Sequence, residues 1–326
     1  MNIHRLVRIL AIITSFGAYL MLLLGVLVTN SGSGQGCGNS WPFCHGEIIP
    51  GTLTIAGVIE YSHRVMSSAD GFLVLVLTAA TWLLYRRDFL AKLLSFLSLF
   101  FVVLQGALGA LTVMYEGTFA LNWLLSIHFG LSLIAFASVI LLTVRLFQIN
   151  RERQQVVEKA APVSRRFQLS IWGLVVYTYV IVYTGALVAH TGAVTGCGYQ
   201  LPGCGSTYLP SFSSLAGIQV LHRYVAALLW FLVLAFLIVA LRFYRKRRDI
   251  LWSAWWAFIL ITLQAASGMT AVLTQGQLLV ALAHTTIITL FFSVLCYLCM
   301  QLGWPWKRNT VQHNEVREQL ELNTVS

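Results

Sequence analysis

Eight long apolar stretches run along the chain, at approximately 9–29, 57–85, 91–114, 121–145, 168–190, 216–241, 252–274 and 279–302. A helix of about 20 apolar residues crosses the hydrocarbon core of a bilayer, so each stretch predicts a membrane-spanning helix. The first is longer than the apolar run of a usual secretory signal and has an internal counterpart in the fifth, so it is read as a retained helix.

The polar segments between the stretches alternate in character. Arg5 and Arg8 precede the first stretch. Arg86, Arg87 and Lys92 join the second to the third, and Arg145, Arg151, Arg153, Lys159, Arg165 and Arg166 join the fourth to the fifth. Arg242, Arg245, Lys246, Arg247 and Arg248 join the sixth to the seventh, and Lys307, Arg308 and Arg317 follow the eighth. All but two of the 21 Lys and Arg lie in these segments, and the loops at 30–56, 115–120, 191–215 and 275–278 contain none. Basic loops stay on the cytoplasmic side, which predicts two cytoplasmic termini and long extracytoplasmic loops on a cell-membrane protein.

Composition agrees. Of 326 residues, 58% are apolar and only 10% are charged, whereas soluble domains carry roughly 25% charged residues. Soluble, disordered and fibrous classes are excluded. The net charge of +10 reads as a topology signal and a contact with anionic lipid rather than a nucleic-acid surface, because the cations sit in short loop clusters.

The chain repeats itself. Gly25-Val26-Leu27-Val28 matches Gly185-Ala186-Leu187-Val188, Cys37 and Cys44 match Cys197 and Cys204, and His63-Arg64 matches His222-Arg223. Leu104-Gln105-Gly106-Ala107-Leu108-Gly109 matches Leu263-Gln264-Ala265-Ala266-Ser267-Gly268, and His128 matches His284, all at offsets of 156 to 160 residues. The expected fold is therefore an all-α integral membrane protein, with eight transmembrane helices as two tandem, pseudo-twofold-related four-helix bundles. The N-terminal half is 1–150, a cytoplasmic linker 151–167, the C-terminal half 168–302 and a cytoplasmic tail 303–326.

Four of the eight histidines recur at one depth. His63, His128, His222 and His284 each lie about five to seven residues inside the outer end of an even-numbered span. Ionisable side chains inside a span are costly and point to function. Zinc usually takes three or four protein ligands, and no further ligand cluster lies at this depth. Haem takes two axial ligands from opposite faces of a flat macrocycle, so one haem slot per half is the reading. Arg64 and Arg223, the two basic residues outside the basic loops, are candidates to meet haem propionates. Arg64 has a plainer alternative, an ion pair with Glu60 four residues earlier. His4 and His313 fall in the tails, His45 in the first outer loop, and His190 ends the fifth span, where its repeat partner is Asn30.

One difference between the halves bears on chemistry. Glu60 lies three residues before His63, and its repeat partner before His222 is Gln219. A carboxyl exchanges protons and an amide does not, so the N-terminal half is expected to be the reactive one. Cys37 and Cys44, like Cys197 and Cys204, each close a short loop on an oxidising side, so one disulfide per loop is expected. These bonds hold a loop over a slot or exchange electrons with a thiol partner, and spacing does not choose between the two. Cys296 and Cys299 near the end of the eighth span read as packing residues.

These residues resemble bacterial heme A synthases with paired cysteines in their outer loops. The carriers are Trp41-Pro42-Phe43-Cys44-His45-Gly46, Glu60-Tyr61-Ser62-His63-Arg64, the Gln105 and His128-Phe129-Gly130 motifs, Tyr183-Thr184-Gly185-Ala186, His222-Arg223 and Ala283-His284. The resemblance implies oxidation of the C8 methyl of heme O to a formyl group through a hydroxymethyl intermediate, giving heme A for terminal oxidases. It implies that His222 and His284 are axial ligands of a resident haem b, and that His63 and His128 ligate or position heme O. Glu60 is then the catalytic carboxylate, Cys37–Cys44 a functionally important pair and Cys197–Cys204 a structural disulfide. The alternative is a di-haem membrane cytochrome carrying electrons from quinol. The electron acceptor, docking with heme O synthase and homo-oligomerisation through small-residue faces stay open.

Overall fold

The computed structural model describes residues 3–115, 118, 120–154, 163–201, 203, 204, 208 and 210–306. The centre of the expected linker, the tail beyond Trp306, and with them Lys159, Lys307, Arg308, His313 and Arg317 lie outside the described residues, as does the side chain of Arg153.

Among the described residues eight long helices follow one another: α1 Ile3–Asn30, α2 Ile55–Leu84, α3 Phe89–Met114, α4 Ala120–Gln154, α5 Arg165–His190, α6 Leu215–Phe243, α7 Arg248–Leu273 and α8 Leu278–Leu302. Each is long and apolar enough to cross a membrane, as befits a multi-pass membrane protein. Lipid cannot hydrogen-bond a peptide group, and a helix satisfies its backbone internally. Six of the eight predicted spans fall inside these helices, and those at 57–85 and 252–274 overrun α2 and α7 by one residue. The clearest difference is α4, which continues past the predicted end near 145 to Gln154. Loss of hydropathy marks a membrane boundary rather than a helix end. Arg145, two turns before Glu152, bonds it at 2.7 Å along the extension.

Helix starts follow from capping chemistry. The hydroxyls of Thr54, Ser164 and Ser214 accept the backbone N–H groups of Gly57, Phe167 and Gly217, and the Asp88 carboxylate accepts that of Ala91 at 2.7 Å. Such caps satisfy donors that a first turn leaves open. Within the first half α1 packs on α2 and α4, and α3 on α2 and α4. Helices α5 to α8 repeat that neighbour pattern, and α4 with α5, α1 with α8 and α4 with α8 join the two sets. The Tyr19 hydroxyl meets that of Thr286 across this junction at 2.9 Å.

Apolar packing is distributed unevenly. In the first half it gathers toward the end carrying the basic loops, around Val7, Leu77, Leu94, Leu142 and Leu146. In the second half one cluster extends from Phe167 and Ile250 through Leu229, Ile261 and Ile288.

Candidate functional site

The repeated histidines occupy matching niches. Each imidazole lies against a glycine of the preceding helix. A Cβ at Gly25 would stand 3.5 Å from His63 Cε1, and one at Gly109 would stand 3.7 Å from His128 Cε1. In the second half the niches are tighter. The same construction gives 2.9 Å from Gly185 to His222 Cε1 and 3.3 Å from Gly268 to His284 Cε1. All four histidines are half-buried. Within each half the two are in electrostatic reach, His63 of His128 and His222 of His284.

Their hydrogen bonds differ between the halves. The His222 Nδ1 is 2.8 Å from the Thr184 hydroxyl, and the His284 Nδ1 is 2.8 Å from the Ser267 hydroxyl. The buried Nδ1 atoms of His63 and His128 have no partner among the described residues. The repeat explains this, because Leu24 and Leu108 stand where the second half has Thr184 and Ser267. The chemistry of His222 and His284 suits a haem. A hydroxyl at Nδ1 orients the ring and leaves Nε2 toward a metal. The Gln264 amide nitrogen, 2.8 Å from His284 Nε2, must swing aside for iron to reach that atom. Its counterpart Gln105 instead donates to the His128 carbonyl at 2.7 Å.

Glu60 and Gln219 turn out to share a task. The Cys37 N–H donates to Glu60 Oε2 at 2.8 Å, and the Cys197 N–H donates to Gln219 Oε1 at 2.9 Å. Each side chain ties its disulfide loop to the helix that bears the histidine. Glu60 is 4% exposed and Gln219 2%. Gln219 spends its amide nitrogen on the Val194 carbonyl at 2.9 Å, whereas Glu60 pairs with Arg64. Arg64 also donates to the carbonyls of Ser40 and Phe43 at 2.6 and 2.7 Å. Arg223 likewise donates to the Gly203 carbonyl at 2.8 Å. Both arginines therefore hold their cysteine loops, beside the propionate contact expected of them.

Both disulfides are formed, Cys37–Cys44 and Cys197–Cys204. His45 lies within the first loop, its Nε2 3.1 Å from the Gly36 carbonyl. Cys296 and Cys299 are outside any disulfide and pack among apolar side chains. His4 stacks edge-on against Tyr85 at 5.3 Å. His190 comes within electrostatic reach of His128, while its repeat partner Asn30 donates to the Gly276 carbonyl at 3.3 Å.

Three further residues, Thr184, Ser267 and Asp70, gain a role only from the structure. Thr184 and Ser267 become visible only when each motif is compared with its repeat for hydroxyls. Asp70 is fully buried in α2, and an acid inside an apolar span is itself the signal.

Fold and site together define a multi-pass helical membrane protein with two internally repeated histidine pairs beneath disulfide-closed loops. The chain belongs to the COX15-CtaA family, described as cytochrome oxidase assembly protein, which matches residues 8–296. A protein of Bacillus mycoides (strain KBAB4) named heme A synthase is 40% identical over 297 residues, covering 91% of this chain and 93% of the relative. A protein of the same name from Bacillus cereus (strain G9842) is 39% identical over 316 residues, covering 97% and 99%. A third, from Bacillus anthracis (strain CDC 684 / NRRL 3495), is 40% identical over 306 residues, covering 94% and 96%.

Proposed function

We propose that this protein is a heme A synthase, which oxidises the C8 methyl of heme O to a formyl group by way of a hydroxymethyl group. Family membership and like-named relatives along nearly the whole chain support the activity. The assignment of the two sites rests on one observation: Thr184 and Ser267 bond the Nδ1 atoms of His222 and His284, and among the described residues nothing bonds those of His63 and His128.

A resident cofactor wants ligands locked in one tautomer and orientation. A substrate that must enter and leave is better served by rings free to adjust. His222 and His284 would therefore hold haem b in the C-terminal half, and His63 with His128 would position heme O in the N-terminal half. Haem b, when bound, would take electrons one at a time and pass them to an external acceptor, which must receive four for each heme A formed.

The reaction balances as two oxidations with water. The methyl group and water give the hydroxymethyl group, two protons and two electrons. A second round gives a gem-diol, which loses water to leave the aldehyde. Two imidazoles leave the substrate iron no open position for dioxygen, which favours water as the oxygen source. Glu60 is the one carboxyl among the described residues within a helical turn of either histidine pair, and its task is to take protons released there. Arg64 holds it in place, and the Cys37–Cys44 loop closes over it. The basic loops face the cytoplasm and the cysteine loops the outside.

The test is co-expression with a heme O synthase in a host lacking heme A, followed by extraction and separation of the haems. Hydroxylated heme O and heme A must both appear. Purified protein that carries two haems and yields neither product would instead be the di-haem electron carrier.

A further inference from the structure

One acid inside the helices has no part in the scheme above. Asp70 lies seven residues beyond His63 in α2, roughly 10 Å deeper on nearly the same helix face. It has no exposed surface, and neither carboxyl oxygen has a hydrogen-bond partner among the described residues. Such a group inside a span points to function. It faces α1 as His63 does, His63 against Gly25 and the Asp70 carboxyl against Gly17. The repeat puts Leu229 and Tyr177 at the positions of Asp70 and Gly17. Leu229 is buried, and the Tyr177 hydroxyl donates to the Val225 carbonyl at 3.0 Å. The half read as the substrate site has a small residue and an unpartnered acid where the other has two bulky side chains, whose one polar atom, the Tyr177 hydroxyl, is already bonded.

The two haems differ in the same sense. Where haem b has a vinyl group, heme O has a hydroxyethylfarnesyl chain, its hydroxyl next to the ring on the edge remote from the propionates. With propionates toward the cysteine loops and Arg64, that edge points down α2 toward Asp70. A protonated carboxyl offers one donor and one acceptor, and an alcohol matches both. Resting on the substrate reading above, we propose that Asp70 recognises the hydroxyl of heme O, and that Asp70 with Gly17 makes the N-terminal half select heme O over haem b. Met66 closes the seam from one turn above, its Cε 3.6 Å from where a Gly17 Cβ would stand. Its unbranched thioether shifts readily to admit the hydroxyl.

The experiment titrates purified protein, with haem b already in its C-terminal half, with heme O and with protohaem, reading Soret changes. Wild type should prefer heme O. Asp70→Leu, which installs the residue of the other half, should reduce that preference roughly tenfold, about the worth of one buried hydrogen bond. Asp70→Asn should keep most of it, and an unchanged haem b spectrum reports that each variant is folded. A wild-type preference that survives in Asp70→Leu overturns this proposal and leaves the substrate site standing. Heme O binding that is indifferent to both His63→Ala and His128→Ala overturns the site assignment and this proposal together.

Discussion

The two halves are built from the same sequence motifs, yet they hold their histidines differently. In the C-terminal half each ring has a hydroxyl on Nδ1, and its glycine niche is too tight for a methyl group without adjustment. In the N-terminal half both rings lack that hydroxyl, and the niches leave ordinary van der Waals room. The difference tracks the sequence, because Leu24 and Leu108 stand where the second half has Thr184 and Ser267, and on the function proposed above it separates a fixed ligand set from an adjustable one. Glu60 against Gln219 swaps a carboxylate for an amide without altering the scaffold, because the two side chains anchor matching loop N–H groups. The frame is shared, and a few substitutions distinguish the two histidine pairs.

The comparison breaks most decisively at the histidines. His222→Ala should abolish the resident haem b spectrum of the purified protein and heme A production with it. His63→Ala should leave that spectrum intact while heme A disappears. If His63→Ala removes haem b as well, the division between the halves is wrong. The next largest effect is expected from Glu60→Gln, which gives the N-terminal half the amide of the C-terminal one. The loop anchor survives, so folding and haem b should persist, while heme A yield falls at least about a hundredfold, the lower range for a lost acid–base group. Near-normal yield would mean that Glu60 serves only to hold Cys37 and Arg64.

The helices were legible because hydropathy alone reports what lipid demands, and the histidine pairs because duplication turned four scattered residues into one pattern. Glu60 was legible as a break in that pattern. Its bond to the Cys37 N–H was not, since a contact between a loop and a helix 23 residues apart depends on how the loop folds back. The Nδ1 partners were hidden for a similar reason. Thr184 and Ser267 sit on α5 and α7, and only packing against α6 and α8 brings their hydroxyls to the rings. Asp70 was present as a plain anomaly, an acid in an apolar run, without a repeat partner to draw attention to it.

Smaller changes sharpen the contrast. Thr184→Leu places the first half's residue against His222 and should weaken haem b retention about tenfold on dilution or haem-scavenger challenge, as loss of a ligand's supporting hydrogen bond usually does. Gly185→Ala should do at least as much, because its Cβ would stand 2.9 Å from the ring. Gly25→Ala, with 3.5 Å available, should leave haem b untouched. Equal haem b loss in Gly185→Ala and Gly25→Ala would show that niche tightness does not distinguish the halves.

The smallest effect concerns the helix starts at the basic-loop end. Asp88 caps α3 and bonds Arg145 at 2.6 Å, whereas Arg247, 159 residues later, opens α7 without a side-chain cap and pairs with Asp249. Burial pushes the Asp88 carboxyl up, but the Arg145 hydrogen bond, the Ala91 N–H and the Arg145 charge outweigh it and hold it below the usual carboxylate value of 3.8. A depressed folded-state value means the stabilisation is complete above the ordinary carboxylate range and is lost as pH falls through the folded value. Asp88→Ala should therefore cost about 1 kcal/mol at neutral pH, read as a lower thermal midpoint in detergent. The gap to wild type should close only below roughly pH 4. Asp88→Asn keeps a capping side chain and loses the charge, so it should fall between the two. A gap that stays constant down to pH 3 would show that the capping geometry alone, and not the pairing with Arg145, stabilises this end of the first half.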